Sequence, residues 1–327
     1  MTAGSRFRPR IQWALALGAL IIALIAPLFL PSYWLHVVIV AYFYAALASS
    51  WSFLAGYAGQ FSFGHMAFMT IGAYTTGILG RYLNLQPLLG MALGTLAAGL
   101  AGLAIGALVL RFKASYLALF TIAFSEILRI VLKAEAQITR GDLGLSLTPL
   151  FGGTISKVPY YYTMLAILVA CLLVMYWLVS SRVGMFVKAV REDEEAAAAR
   201  GVDVVRYKVL TFVVTSMIAG LVGTFSAHYI TIITPNIMVL SQMGIVMAMA
   251  IIGGVESLIS AAIGGMIIQI SLELLREFGA WRLVIFGALL VITLRFARNG
   301  LIAPILQRLF GLGPRAELRK EAATDGA

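Results

Sequence analysis

Residues 87–110 read PLLGMALGTLAAGLAGLAIGALVL, without a single charged or amide side chain. At 1.5 Å rise per residue a helix of this length reaches about 36 Å, enough to cross roughly 30 Å of hydrocarbon. The same stretch places Gly90, Gly94, Ala98, Gly102 and Gly106 four residues apart, so that small side chains line one face of the helix. Such ladders let two backbones approach where lipid supplies no hydrophobic drive between helices. Most contacts in a bundle are internal, so the ladder predicts packing within the chain in preference to a subunit seam.

The rest of the chain extends this reading. Of 327 residues, 61% are apolar or aromatic and 12% are charged, against about 25% charged in soluble domains; with a mean hydropathy of +0.96 a soluble globule is excluded. Ten apolar stretches follow one another: Ile11–Leu30, Val37–Leu54, a third within Phe61–Leu79, Pro87–Leu110, Tyr116–Leu132, Tyr160–Val179, Val209–Ile230, Leu240–Ile252, Leu258–Leu275 and Trp281–Leu294. The first follows Arg6, Arg8 and Arg10 and has a longer apolar core than a signal peptide and no A-x-A site, so it reads as an uncleaved anchor with its N-terminus inside. The expected fold is an all-α polytopic membrane protein of about ten transmembrane helices, with both termini inside. Eight or nine spans result if Gly59–Gly64 or Gly253–Gly265 is re-entrant.

Charge fits this topology. The formal net charge of +10 would suit a nucleic-acid surface, but the cations sit in short loops and at the termini, as the positive-inside bias places them. Of the 24 Lys and Arg, Arg81, Arg129, Lys133, Arg140, Lys157, Arg276 and Arg282 fall outside or in the outer half, and the rest lie inside. Residues 1–310 form one transmembrane domain with an inside loop at 181–208. The tail from Asn299 is at best a short interfacial helix, and 311–327 reads as a disordered cytoplasmic segment.

Chemistry is sparse. There is no GxxxxGK[ST] phosphate loop, no HExxH and no CxxC, so the chain has no ATPase motif of its own, and no catalytic residues, no metal site and no bound cofactor are expected. The single cysteine, Cys171, excludes an internal disulfide, and His36, His65 and His228 are isolated in sequence. Glu126, Arg129 and Lys133 form a charged stripe on one face of the fifth span. A charge at such depth costs about 2.5–3.5 kcal/mol on insertion scales, which requires the stripe to face the bundle interior or a wet vestibule. It serves either as an orienting salt bridge or in contact with substrate. In the loop, Glu192, Asp193, Glu194 and Glu195 stand in the first turn of an expected short helix, four alanines follow, and Gly201 closes it as C-cap.

Four blocks resemble the inner-membrane permease subunits of ABC importers for branched-chain amino acids, the M-type member of the two-permease pair. They are SFGHMAFMTIGAY at 62–74, YLALFTIAFSEI at 116–127, VREDEEAAAARG at 190–201 with Tyr207 and Lys208, and IGGVES at 252–257. The resemblance spans about residues 40–270. It implies that Glu192, Asp193, Glu194, Glu195, Ala196, Ala197 and Gly201 belong to a cytoplasmic coupling helix that docks on an ATPase. It further implies half of a translocation pore, a second related permease, two cytosolic subunits that bind ATP and magnesium, a periplasmic substrate-binding protein, and a multi-pass location among the lipids of the bacterial inner membrane, with no nucleic-acid partner. Ser62, His65, Glu126 and Arg129 are the candidates for the path or gate. Two positions depart from the family pattern: Arg140 follows Thr139 where glycine is usual, and Glu256 stands where a small residue is usual, an acid expected to meet a basic group on a partner. A urea or short-chain amide importer permease, an ion-coupled secondary transporter and a membrane scaffold remain alternatives at this level.

Overall fold

The computed structural model describes Gly18, residues 20–109, 114–152, 156–279 and 281–296, and Gly300, Leu301, Ile302 and Pro304. The front of the first span with its arginines, and the 311–327 tail, lie outside the described residues. Residues 20–25 are helical and run into a 3-10 turn at Ala26–Leu28 that carries Pro27.

Pro31 then starts α1, Ser32–Ser52, five residues ahead of the expected span, because its fixed φ of −64° suits a helix entry. A π turn over Phe53–Tyr57 ends this helix. The expected third span begins late: Phe61–Gly64 are not helical, and α2 runs from His65 to Leu83. Helices α3 (Pro87–Val109), α4 (Ala114–Ala134) and α5 (Val158–Ser180) match their expected spans closely.

The inside loop is mostly helix, with α6 over Arg182–Glu192 and α7 over Glu194–Ala199. The long α8, Val204–Ile230, starts ahead of its apolar run because the Asp203 carboxylate accepts from Arg206 N. Then come α9 (Leu240–Gly253), α10 (Leu258–Leu274) and α11 (Trp281–Phe296). Within Gly253–Gly265 only residues 254–257 form a turn, because Gly253 ends α9 and Leu258 already begins α10.

Among the described residues, five helical stretches are long and apolar enough to cross a membrane: Ser32–Tyr57, Pro87–Leu108, Val158–Ser180, Val204–Ile230 and Leu258–Phe278. Their alternation is fixed by contacts at the two ends. At one end β1 (Leu145–Ser146) pairs antiparallel with β2 (Ile232–Ile233), joining the loops after α4 and α8. At the other, Arg191 beside α7 reaches the Gly56 carbonyl at the foot of α1 and the Glu256 carboxylate between α9 and α10.

The small-residue ladder of α3 packs inside the chain, as its pattern predicts. A methyl group on Gly94 would lie 2.6 Å from the Gly72 carbonyl of α2 and from Thr224 of α8, and one on Gly220 would lie 2.3 Å from Ala98 Cβ. The opposite face of α3 exposes Leu89, Leu93, Leu96, Leu100 and Leu103, a surface suited to acyl chains. Trp51, Phe68, Tyr161, Phe212 and Phe225 fill the core between α1, α2, α5 and α8.

Candidate functional site: the coupling end and the buried polar column

The loop from Ser181 to Lys208 is folded by its own caps. The Ser181 hydroxyl accepts from Val183 N and opens α6, whose Gly184, Val187 and Val190 turn inward. The expected single helix from Glu192 is in fact broken. Asp193 is extended (φ −157°, ψ 109°), ends α6, and caps α7 by accepting from the backbone N–H of Glu195 and Ala196, each at 3.0 Å. An aspartate outcompetes helix continuation here because its short carboxylate satisfies two otherwise free amides. Glu192 therefore belongs to α6. At the far end Gly201 takes φ +83°, a conformation that leaves its N–H bonded to the Ala198 carbonyl at 2.9 Å.

Within α7, Ala197 faces inward, whereas Glu195, Ala196, Ala198 and Ala199 are exposed. Two ionic contacts hold the assembly to the bundle. Glu194 Oε1 lies 2.5 Å from Lys208 Nζ, and the lysine side chain is only 7% exposed while the glutamate is 49% exposed. Arg191 donates to Gly56 O and, at 2.6 Å, to Glu256 Oε1. The partner expected for Glu256 on another protein is thus found within the chain. The π turn at Phe53–Tyr57 accounts for the Gly56 contact, since a widened turn frees a carbonyl from its usual i+4 partner.

From Lys208 a line of buried polar groups runs into the membrane domain. Gln60 Nε2 donates to Lys208 O and to Thr211 Oγ1, both at 3.1 Å. Ser50 Oγ lies 3.4 Å from Thr215 O and from His65 Nε2. Trp51 Nε1 donates to Ser62 O at 2.9 Å, which pins the non-helical segment that opens α2. Ser62 and His65 are both buried, and His65 Nδ1 and Gln60 Oε1 have no hydrogen-bond partner among the described residues. Sequence reasoning missed Gln60, Ser50 and Thr215; a Gln beside a glycine-rich break was the available signal.

Glu126 and Arg129 stand apart from this column. Arg129 Nε donates to Glu126 Oε2 at 2.9 Å, with a second contact from its Nη2 to Oε1, on a face of α4 that the rest of this chain leaves open. Lys133, the third member of the stripe, binds Asp142 of the following loop at 2.9 Å. Asn236 also donates to Asp142 at 3.3 Å. The lysine bond is the chief reason that the Asp142 carboxyl is held below the usual carboxylate range. Arg140 adopts φ +63° ahead of Gly141 and is not drawn into this cluster. His36 Nδ1 meets Tyr229 OH at 2.6 Å, and His228 sits between Thr76 Oγ1 at 2.8 Å and Thr148 O at 2.7 Å, so each is held by its own hydrogen bonds.

A bundle of long apolar helices with a capped, ion-paired helix exposed at one end is an architecture suited to a polytopic membrane protein. Residues 33–294 match the family model described as branched-chain amino acid transport system / permease component, and the chain belongs to that family. Its relatives include the high-affinity branched-chain amino acid transport system permease protein LivM of Salmonella typhimurium, 29% identical over 79% of this chain and 67% of the relative. The corresponding LivH protein of Escherichia coli is 25% identical over 79% of this chain and 91% of its own length. The L-arabinose ABC transporter permease protein AraH of Azospirillum brasilense is 27% identical over 64% and 63%. No solved structure matches.

Proposed function

We infer that this chain is one of two permease subunits of an ABC importer for branched-chain, hydrophobic amino acids, and that it provides half of the translocation pore. The second permease is a related protein, since both LivM-type and LivH-type permeases are among the relatives, and the higher identity to LivM favours the M-type place. Two cytosolic ATPases bind ATP and magnesium, a periplasmic binding protein delivers the substrate, and the assembly sits in the inner membrane.

The observation that carries this reading is the exposed α7, fastened to α8 through Glu194–Lys208 and to α1 and the α9–α10 turn through Arg191. When an ATPase cleft moves the methyl face of Ala196, Ala198 and Ala199, the two clasps transmit that displacement to three membrane elements at once. Lys208 stands in the second turn of the 27-residue α8, so a small tilt at its foot becomes a larger shift at the outer end. Selectivity for the aliphatic side chain rests mainly with the binding protein, because tight binding in the pore would slow release.

Reconstitution into vesicles tests the assignment. ATP-dependent leucine uptake is expected only when both permeases, the ATPases and the binding protein are present. Uptake by the lone chain under an ion gradient would instead identify a secondary carrier, and urea uptake without leucine uptake would move the substrate class. Neither the urea reading nor the carrier reading is favoured by a specific feature of the structure.

A further inference from the structure

A cavity of about 390 Å³ opens in the half of the bundle remote from α7, between α1, α2, α8 and the start of α9. Its volume falls in the range of roughly 300–1,000 Å³ typical of small-molecule pockets. Ile39, Phe43, Met69 and Phe225 provide much of the apolar wall, and the lining is predominantly apolar. Three polar side chains in the same wall, Tyr44, Ser226 and Gln242, make no hydrogen bond within the described residues.

The cavity exists because α9 is short. Its 14 residues give about 21 Å of helix, some 9 Å less than the hydrocarbon thickness. Between α8 and α9 the bent segment 231–239, which carries Thr231 at φ +65°, the β2 pair and the Pro235–Met238 turn, contributes Thr234, Asn236 and Ile237 to the cavity wall. A lipid acyl chain would fill the apolar wall but would leave the tyrosine hydroxyl, serine hydroxyl and glutamine amide unpaired. An aliphatic amino acid satisfies both parts, with its side chain against Ile39, Met69 and Phe225 and its ammonium and carboxylate near neutral dipoles. No charged side chain lines the wall, so the two ends of a zwitterion are held by dipoles alone and are released readily.

We propose that this cavity is a transit site for the aliphatic side chain of the transported amino acid, with Tyr44, Ser226 and Gln242 as the groups that accommodate its polar end. The proposal rests on the importer reading but is tested separately from it. In the assembled complex, Val40→Trp, which fills the cavity from α1, is expected to lower leucine uptake tenfold or more and alanine uptake by less than half, with ATP hydrolysis retained. Equal loss for both substrates, or no loss, overturns the site.

A second measurement avoids dependence on transport. In the complex carrying Ser226→Cys, where the native Cys171 is buried, a hydrophilic thiol reagent is expected to label position 226 and saturating leucine to slow that labelling at least fivefold, while glycine does not. Labelling by a lipid-soluble maleimide alone would show a groove open to acyl chains and would overturn the proposal, as would the absence of leucine protection. If wild-type complex fails to import leucine at all, the importer reading fails irrespective of the cysteine result.

Discussion

Replacing Glu194 with glutamine keeps the shape of α7 and removes the counter-charge of Lys208. The ammonium is buried, with its side chain 7% exposed, and its partner lies 2.5 Å away. Losing one member of a fully buried pair costs about 3–5 kcal/mol, whereas exposed pairs are worth up to about 1 kcal/mol. Here one charge is buried and the other half in water, so the cost falls between, at about 1–3 kcal/mol. At about 1.4 kcal/mol per factor of ten, the clasp between α7 and α8 would be populated roughly 5-fold to 150-fold less relative to its open form. The expected result in the assembled complex is a fall of about tenfold in leucine transported per ATP hydrolysed, while the ATPases still copurify, because the docking face at Ala196 is untouched. The double variant Glu194→Gln with Lys208→Met removes the unpaired charge, and is expected to recover thermal stability without recovering coupling. Normal transport per ATP in Glu194→Gln would show that force does not pass through this pair, and the coupling account of α7 would have to be abandoned.

Other outcomes follow from the same geometry. Ala196→Arg is expected to abolish ATPase copurification with little change in the melting temperature of the isolated permease pair, whereas Ala197→Arg, at an inward position, destabilises the loop itself and is read by proteolysis between residues 181 and 208. Gly223→Val places a side chain where a Cβ would lie 2.1 Å from the Met69 carbonyl, so it should destabilise by about 1–3 kcal/mol or more through overpacking. Gly244→Val, with open space around it, should leave detergent melting nearly unchanged. Asp142 has a folded pKa held below its unfolded value near 3.9 by Lys133, so its stabilisation of the outer loop is complete above that value and is lost as pH falls through the lower folded value. Protection of residues 139–147, corrected for intrinsic exchange, should accordingly hold from neutral pH down to about 4 and fall below it, and Lys133→Ala should lower the protection at neutral pH and flatten this pH dependence.

Local composition was enough to show that the chain is built of apolar helices, of which five among the described residues, against ten expected spans, are long and apolar enough to cross a membrane. Residues 87–110 are apolar throughout, and their small-residue ladder was readable as a packing face because period and side-chain size are local properties. The helicity of the alanine-rich segment was legible for the same reason, since capping and helix-dipole preferences act within a single turn. Its break at Asp193 was not, because continuing the helix or capping a new one differ by only a few backbone hydrogen bonds, here those that Asp193 accepts from Glu195 and Ala196. Likewise Glu256 looked like a contact for a foreign protein until folding brought Arg191 to it across 65 residues.

The sequence by itself determined the class of protein, because transfer of apolar segments from water into hydrocarbon depends on composition and length alone. Tertiary structure decided which polar groups act together: Gln60 on α8, Arg191 on Gly56 and Glu256, and Tyr44, Ser226 and Gln242 around one cavity. These contacts join residues far apart in the chain, and their strength depends on burial and distance, neither of which is a property of any segment taken alone.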